Sequence, residues 1–479
     1  MNYRMLFYLF SVILMAEAAF MLLPLLVALI YSENIFPFLI TVGILIIISA
    51  SGVILKPKDT RIYTKDGFVC VAAAWVLMSV FGALPFVIDG SIPSFIDAFF
   101  ETVSGFTTTG STILTEIESL PKSILFWRSF THWIGGMGVL VFILAIIPSD
   151  DGRAIHLLRA EVPGPQKGKL VPKLRRTARI LYGIYFGFTV IEVIALCIAG
   201  LPFYDALVNT FGTVGTGGFS VLNKSIEGYN NPAVEWIMAI FMLICGINFN
   251  LYYFLLIKRF RDVFRSEELK TYLAICFVSV SIIVLNTLRI VGNLGECVRD
   301  AFFQVASITS TSGFSTTNFD AWPQMSRTVI LILMVFGACA GSTAGGLKIS
   351  RIIIVIKSSF REIKHMLRPR SVNVVKLDGE VVPEETVRGA VNYIALYLVI
   401  FVMSFLLVTV DGFSTETNFS AVIACLNNVG PGLSDVGPAG NFAGFSIFSK
   451  MILSLDMLFG RLEIMPMIIL FSPSTWKRH

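Results

Sequence analysis

The chain of 479 residues is 55% hydrophobic and 14% charged, and its 37 basic and 32 acidic residues leave a formal charge of +5; its mean hydropathy is +0.78. A soluble chain is close to a quarter charged and has no way to hide so much apolar surface, so a soluble enzyme or binding domain is excluded and the chain belongs in a bilayer. Seven cysteines lie scattered, mostly inside apolar runs and without a CxxC spacing, and read as small buried hydrophobes.

Apolar runs of about 20 residues, the length of a helix that crosses ~30 Å of hydrocarbon, predict spans near 5–31, 36–55, 67–88, 124–148, 178–201, 232–257, 271–292, 325–357, 389–410 and 446–471. Continuous apolar runs, rather than alternation, disfavour a membrane barrel. Arg4, an apolar stretch and Ala16-Glu17-Ala18 imitate a signal peptide, but the run continues to Ile30, so the first span is expected to be retained. Ten spans put both ends on one side. Arg4 and the segments 56–65, 153–179, 258–270, 348–388 and 477–478 hold 29 of the 37 basic residues, which makes that side cytoplasmic by the positive-inside rule. The opposite face carries acids such as Asp97, Asp205, Asp300 and Glu416, which concentrate cations there.

Four outer stretches align without gaps: DAFFETVSGFTTTGST (97–112), DALVNTFGTVGTGGFS (205–220), DAFFQVASITSTSGFS (300–315) and FSAVIACLNNVGPGLS (419–434). Each has a glycine at the same place, Gly110, Gly218, Gly313 and Gly432, and another 28 residues on, at Gly138, Gly246, Gly341 and Gly460. An internal repeat of this kind sets the architecture. Each copy reads as an outer helix, a short descending half-helix, a glycine-rich re-entrant strand and an inner helix. Non-helical backbone at membrane depth survives only inside protein or along a watery cavity, so the four loops need a common axis. The expected fold is an all-α polytopic membrane protein with four tandem helix, re-entrant loop, helix repeats around a central pore. The expected units are 1–56 (two extra N-terminal transmembrane helices) and pore repeats 57–150, 151–262, 263–370 and 371–479.

A filter that removes water from a monovalent cation replaces it with oxygens, and rings of backbone carbonyls do so without full negative charge. Glycine turns those carbonyls inward because it accepts angles forbidden to other residues. The candidate ion-binding residues are Thr108, Thr109 and Gly110; Thr216, Gly217 and Gly218; Thr311, Ser312 and Gly313; and Gly430, Pro431 and Gly432. Thr213-Val214-Gly215-Thr216-Gly217 imitates a potassium-channel filter, yet the repeat register makes Gly218 the equivalent glycine. The fourth loop departs from its siblings, with Asn427-Asn428 and Gly430-Pro431-Gly432 in place of hydroxyls.

Beneath the third loop, GACAGSTAGG (337–346) interrupts an inner span with Gly341, Ser342, Thr343, Ala344, Gly345 and Gly346 and is followed by Lys348. It is either a rearrangeable gate or a close-packing glycine face. Arg461, the one basic residue deep in the final span, either faces the pore, where it repels a cation and bonds carbonyls of the 341–346 loop, or pairs with Glu463. His132 and Trp133 read as packing residues, and VNVVKLDGEVV (372–382) as a cytoplasmic hairpin turning at Asp378-Gly379. The basic loops at 153–179 and 348–370 serve topology and lipid phosphates first, with docking of a partner as the second reading. An intramembrane enzyme is disfavoured because the four histidines stand apart. Four repeats of one orientation also disfavour an inverted-repeat secondary transporter.

The filter loops, with FWRSFTHWIGGMGVLVFILAIIP, FGACAGSTAGGLKISRI and MLFGRLEIMPMIILFSPSTW, resemble the TrkH/TrkG/KtrB superfamily of potassium transporters, most closely the TrkH type. The resemblance covers 60–475. It implies potassium uptake across a bacterial inner membrane, with K+ as the transported ion and no organic cofactor, by a non-enzymatic homodimer in contact with membrane lipid. It further implies a cytosolic nucleotide-binding regulatory subunit of the TrkA type as partner, without nucleic acid, and assigns gating to the 341–346 loop with Lys348 and to Arg461. Glycine at the filter position goes with potassium, and serine in the first loop with sodium in plant relatives; a sodium-permeable or weakly selective transporter of the same fold is the alternative.

Overall fold

The computed structural model describes residues 1–54, 57, 64–138, 174–371 and 373–476. Residues 139–148 of the fourth expected span, most of the basic segment 56–65, the basic stretch 153–173 and residues 477–479 lie outside the described residues.

Among the described residues six helical stretches are long and apolar enough to cross a membrane: Tyr3–Ile30, Phe36–Ile54, Lys65–Asp89, Ala178–Ile198, Glu267–Val291 and Glu384–Asp411. The chain is therefore a multi-pass membrane protein, and large apolar side chains at its periphery face outward, with Ile47 at 74% and Ile54 at 80% exposure. The first two helices are the N-terminal pair, packed against each other so closely that a Cβ on Gly52 would lie 1.9 Å from Ser11 Oγ. The remaining four are the outer helices of the four repeats.

Each outer helix leads to a short pore helix: Phe95–Phe106, Phe203–Gly215, Leu294–Thr309 and Thr415–Leu426. Polar N-caps start three of them, with Ser94, Asn293 and Ser414 accepting the N–H of Asp97, Gly295 and Thr417. Acidic residues occupy every first turn, Asp97, Asp205, Glu296 and Glu416, where the helix dipole is positive.

The inner helices differ from the continuous spans expected of the sequence. Lys122–Gly136, Pro232–Cys245, Gln324–Val335 and Ile447–Leu462 have 15, 14, 12 and 16 residues. At about 1.5 Å per residue they reach roughly 18–24 Å, short of the bilayer core. Only the third interruption was legible. The second inner span bends by 91° between Cys245 and Phe249, where Asn248 caps a new helix. The fourth breaks at Glu463 and Ile464, both at positive φ.

The repeats close into a ring, since each inner helix packs against the pore helix of the next repeat and the last packs against the first pore helix. Ion pairs tie three of these seams on the outer side: Glu235–Arg299 at 2.7 Å, Arg327–Glu416 at 2.6 Å and Lys450–Asp97 at 2.7 Å. At the remaining seam Tyr204 donates to the Lys122 carbonyl at 2.6 Å. Glycines on the inner helices allow backbone contact with the pore helix of their own repeat. A Cβ on Gly135 would stand 1.9 Å from Phe106 O, and one on Gly460 would stand 2.2 Å from Leu426 O. Phe106 and Leu426 each end a pore helix. The glycine in register with Gly460 is therefore Gly135, not Gly138, and the shared 28-residue offset is a coincidence of spacing.

Because backbone cannot yield as a flexible side chain does, Gly135→Ala is expected to cost about 1–3 kcal/mol by overpacking. It should lower the melting temperature of the detergent-solubilised protein by several degrees, measured by intrinsic fluorescence. Gly183→Ala, at a position with nothing within 4 Å, should not lower it.

Candidate functional site

The four pore helices end in one backbone motif. Thr108, Thr216, Thr311 and Asn428 take left-handed angles, with φ of 57°, 58°, 57° and 54°, and two residues later Gly110, Gly218, Gly313 and Gly430 do so again at 84°, 81°, 79° and 100°. The intervening N–H groups reach back to the helix: Thr109 N to Ser104 O at 2.8 Å, Gly217 N to Gly212 O at 2.7 Å, Ser312 N to Ser307 O at 2.8 Å and Val429 N to Ala424 O at 2.9 Å. These bonds complete Schellman-type ends, so the negative pole of each helix dipole points at the strand that follows.

This geometry corrects the fourth loop. Its equivalent of Thr108-Thr109-Gly110 is Asn428-Val429-Gly430, two residues before the aligned Gly430-Pro431-Gly432. Gly432 lacks the positive φ of its supposed siblings, and its N–H bonds Val436 O at 2.7 Å. Two glycines two residues apart offered alternative registers, and only the helix end separates them. Asn428 was the available clue, because asparagine tolerates the left-handed region better than other non-glycine residues.

In the corrected register the loops form a closed cycle. A Cβ added to Gly110 would lie 2.1 Å from Gly217 O, one on Gly218 2.0 Å from Ser312 O, one on Gly313 2.3 Å from Val429 O, and one on Gly430 2.7 Å from Thr109 O. One carbonyl from each repeat thus abuts the glycine of the preceding repeat. Side chains lock neighbours together: Ser111 Oγ donates to Gly430 O at 3.0 Å, and Asn428 Nδ2 to Thr109 Oγ1 at 2.9 Å. A cavity of about 150 Å³ meets this ring, lined by Gly110, Gly218, Gly313, Gly430 and Pro431; Pro431 belongs to its wall.

The support behind the ring holds residues that sequence reasoning left as packing or did not single out. His132 lies 2.7 Å by its Nδ1 from Gly105 O, and its Nε2 accepts from Phe219 N at 3.3 Å. Contact with a carbonyl on one side and an N–H on the other specifies the neutral Nδ1–H tautomer. The buried Arg128–Glu101 pair at 2.7 Å donates to Ser220 O at 3.2 Å, while Glu101 Oε2 accepts from Ile113 N at 2.9 Å. Fully buried ions need such partners, and a lone arginine or histidine in an apolar run gives no sign of them.

On the opposite side of the ring, Arg461 Nη1 donates to Thr343 O at 2.7 Å and Thr108 Oγ1 at 3.3 Å, and Nη2 donates to Gly136 O at 2.8 Å and to Gly135 O. Glu463 pairs instead with Arg351. The 337–346 segment leaves helical geometry between Val335 and Ile349. It is stitched to the second broken inner helix by Cys339 N to Gly246 O at 3.1 Å and Phe249 N to Gly341 O at 2.9 Å. Gly345 N donates to Thr311 Oγ1 at 2.8 Å, and Lys348 Nζ donates to Gly345 O at 3.2 Å and to Ala344 O. Gly341 and Gly346 take φ of 72° and 69°. Ser342 Oγ bonds Cys339 O at 2.7 Å. Arg461 and Gly345 thus reach the ring residues Thr108 and Thr311, while Gly341, Ser342 and Lys348 are held by the second inner helix and by the segment's own carbonyls.

A family model described as cation transport protein, TrkH, matches residues 34–478. The Trk system potassium uptake protein TrkH of Salmonella typhimurium is 36% identical over 488 residues, all of both chains. TrkH of Escherichia coli K12 is 38% identical over 427 residues, 88% of each chain. The crystal structure of the potassium transporter TrkH from Vibrio parahaemolyticus superposes with a TM-score of 0.88 at 32% identity over the full length of both chains.

The two glycines of the fourth loop separate the registers experimentally. Gly430→Ala combines a positive φ with a backbone collision, whereas a Cβ on Gly432 meets the side chains of Val436 and Ser420. Gly430→Ala is expected to lower the melting temperature more, because it adds about 1–3 kcal/mol of strain; a larger loss for Gly432→Ala would favour Gly432 as the equivalent glycine.

Proposed function

The chain belongs to the TrkH family of cation transport proteins, and on that premise we propose that it takes up potassium as the ion-conducting subunit of a Trk-type system. The observation that carries this reading is the closed ring of four carbonyls delivered by one backbone motif in four repeats. A dehydrated cation at the ring exchanges water for the oxygens of Thr109, Gly217, Ser312 and Val429, while four helix C-termini add partial negative charge. Glycine at 110, 218, 313 and 430 is required by angle and by space together, and this supports potassium preference. The work is transport, not catalysis.

Gating is assigned to Arg461 and the 341–346 segment with Lys348. Arg461 donates to Thr108 Oγ1, directly beside the ring, and its charge raises the energy of a cation passing beneath. At an effective dielectric near 20 and a separation of about 8 Å the repulsion is about 2 kcal/mol, enough to set the flux. Opening requires the segment to leave Arg461 and Thr311, and its glycines permit the change. Four units near 57–150, 151–262, 263–370 and 371–479 form the pore beside the 1–56 pair. The basic segments support cytoplasmic termini in a bacterial inner membrane. A TrkA-type cytosolic nucleotide-binding subunit and a second copy of the chain are the proposed partners, supported by the Trk system to which the relatives belong.

Rubidium-86 uptake into proteoliposomes tests the reading. Potassium is expected to compete and sodium at the same concentration not to; equal inhibition by both would overturn potassium selectivity in favour of a sodium-permeable transporter. Arg461→Ala should raise the initial rate about tenfold or more, since the repulsion it removes is worth more than one power of ten. Gly110→Ser, at a φ of 84°, should reduce the preference for potassium.

A further inference from the structure

Glu268 has no place in the filter or in the gate as described so far, yet it touches both ends of the gating segment. It stands in the first turn of the third outer helix and is 7% exposed. Its Oε1 accepts the Ala340 N–H at 2.7 Å and the Ser350 N–H at 3.0 Å. Ala340 enters the segment that carries the Thr343 and Ala344 carbonyls, and Ser350 opens the helix that leaves it. One carboxylate oxygen therefore closes the excursion at its base. Carboxylate acceptors form the stronger class of hydrogen bond, and a buried one abandoned by its donors is costly, so these contacts hold the segment in place.

The same helical turn is held from the other direction. Glu267 N donates to Asp378 Oδ1 at 2.7 Å, at the turn of a hairpin formed by β1 (Lys376–Leu377) and β2 (Glu380–Val381). Lys357 bonds Glu267 and donates to Lys376 O at 2.9 Å, while Val375 and Leu377 pack on Ile354, Val387 and Ala390. Two consecutive residues thus stand between the hairpin and the segment beneath the filter.

We propose that Glu268 is a positioning residue that latches the intramembrane segment closed, and that the 376–381 hairpin, through Asp378, sets the position of the latch. A force applied to the hairpin then shifts the first turn of the helix and loosens Ala340 and Ser350 together. The proposal rests on the reading of 341–346 as the gate.

Full-length protein in proteoliposomes is assayed for rubidium uptake as wild type, Glu268→Ala, Glu268→Gln and Arg461→Ala, with hydrogen exchange followed over 337–350 and 304–315. Glu268→Ala is expected to raise uptake about fivefold and to speed exchange over 337–350, leaving 304–315 and the potassium-to-sodium ratio as in wild type. Glu268→Gln keeps one oxygen for both N–H groups and should fall between wild type and Glu268→Ala. Unchanged or reduced uptake by Glu268→Ala, alongside raised uptake by Arg461→Ala, overturns the latch and leaves the gate standing. If Arg461→Ala does not raise uptake, the gate reading fails and the latch with it. Should Glu268→Ala not fold, Asp378→Ala carries the test, since it removes the hairpin's acceptor for the Glu267 N–H: faster exchange over 337–350 supports the proposal and unchanged exchange defeats it.

Discussion

Backbone that leaves helical geometry inside a bilayer has no water to satisfy its N–H and C=O groups, and every other feature of this chain follows from how four such segments find partners. Half of the answer is local. Each strand folds its N–H groups back onto the last turn of its own pore helix through a left-handed residue, so the helix end and the strand satisfy one another. The other half is cyclic. Each glycine lies against the carbonyl of the next repeat, so no loop is complete without its neighbour, and the chain must close from the Ile447–Leu462 helix back onto the Phe95–Phe106 helix.

Fourfold symmetry holds for the backbone and stops at the side chains. Of the four left-handed residues, Thr108 receives Arg461, Thr311 receives the Gly345 N–H, Asn428 donates to Met457 O, and Thr216 bonds its own neighbour's carbonyl. The backbone angles are shared while the side chains at these positions differ. Two of them hold the asymmetric elements beneath, one arginine and one broken helix. Three of the four outer helices run without a break, and the first is interrupted at Ala83. The second, third and fourth inner helices break where Asn248, the 337–346 segment and the buried Arg461 place polar groups that lipid would not tolerate.

The repeats, the spans of the outer helices, the hairpin at Asp378-Gly379 and the family were legible in the sequence. Each is carried by local chemistry: apolar length, residues that suit a turn, and a motif copied four times. The register of the fourth loop was not legible, because Gly430 and Gly432 satisfy the same composition and only the end of the Thr415–Leu426 helix chooses between them. Nor were the breaks at Gly246–Asn248 and Glu463–Ile464, where the flanking apolar runs read as one span; the first is held by backbone bonds to the 337–346 segment, a partner far away in the chain.

The sequence by itself determined a membrane protein of four like repeats, each with a glycine-bearing loop, because bilayer thickness and backbone angles act on short stretches of chain. The tertiary structure alone decided which oxygens meet at the axis, which buried charges are satisfied, and that Glu101 belongs to Arg128, Glu463 to Arg351 and Glu268 to two backbone N–H groups. Those partners are far apart in the chain, and their pairing depends on how neighbouring repeats seat against one another, which no local pattern encodes.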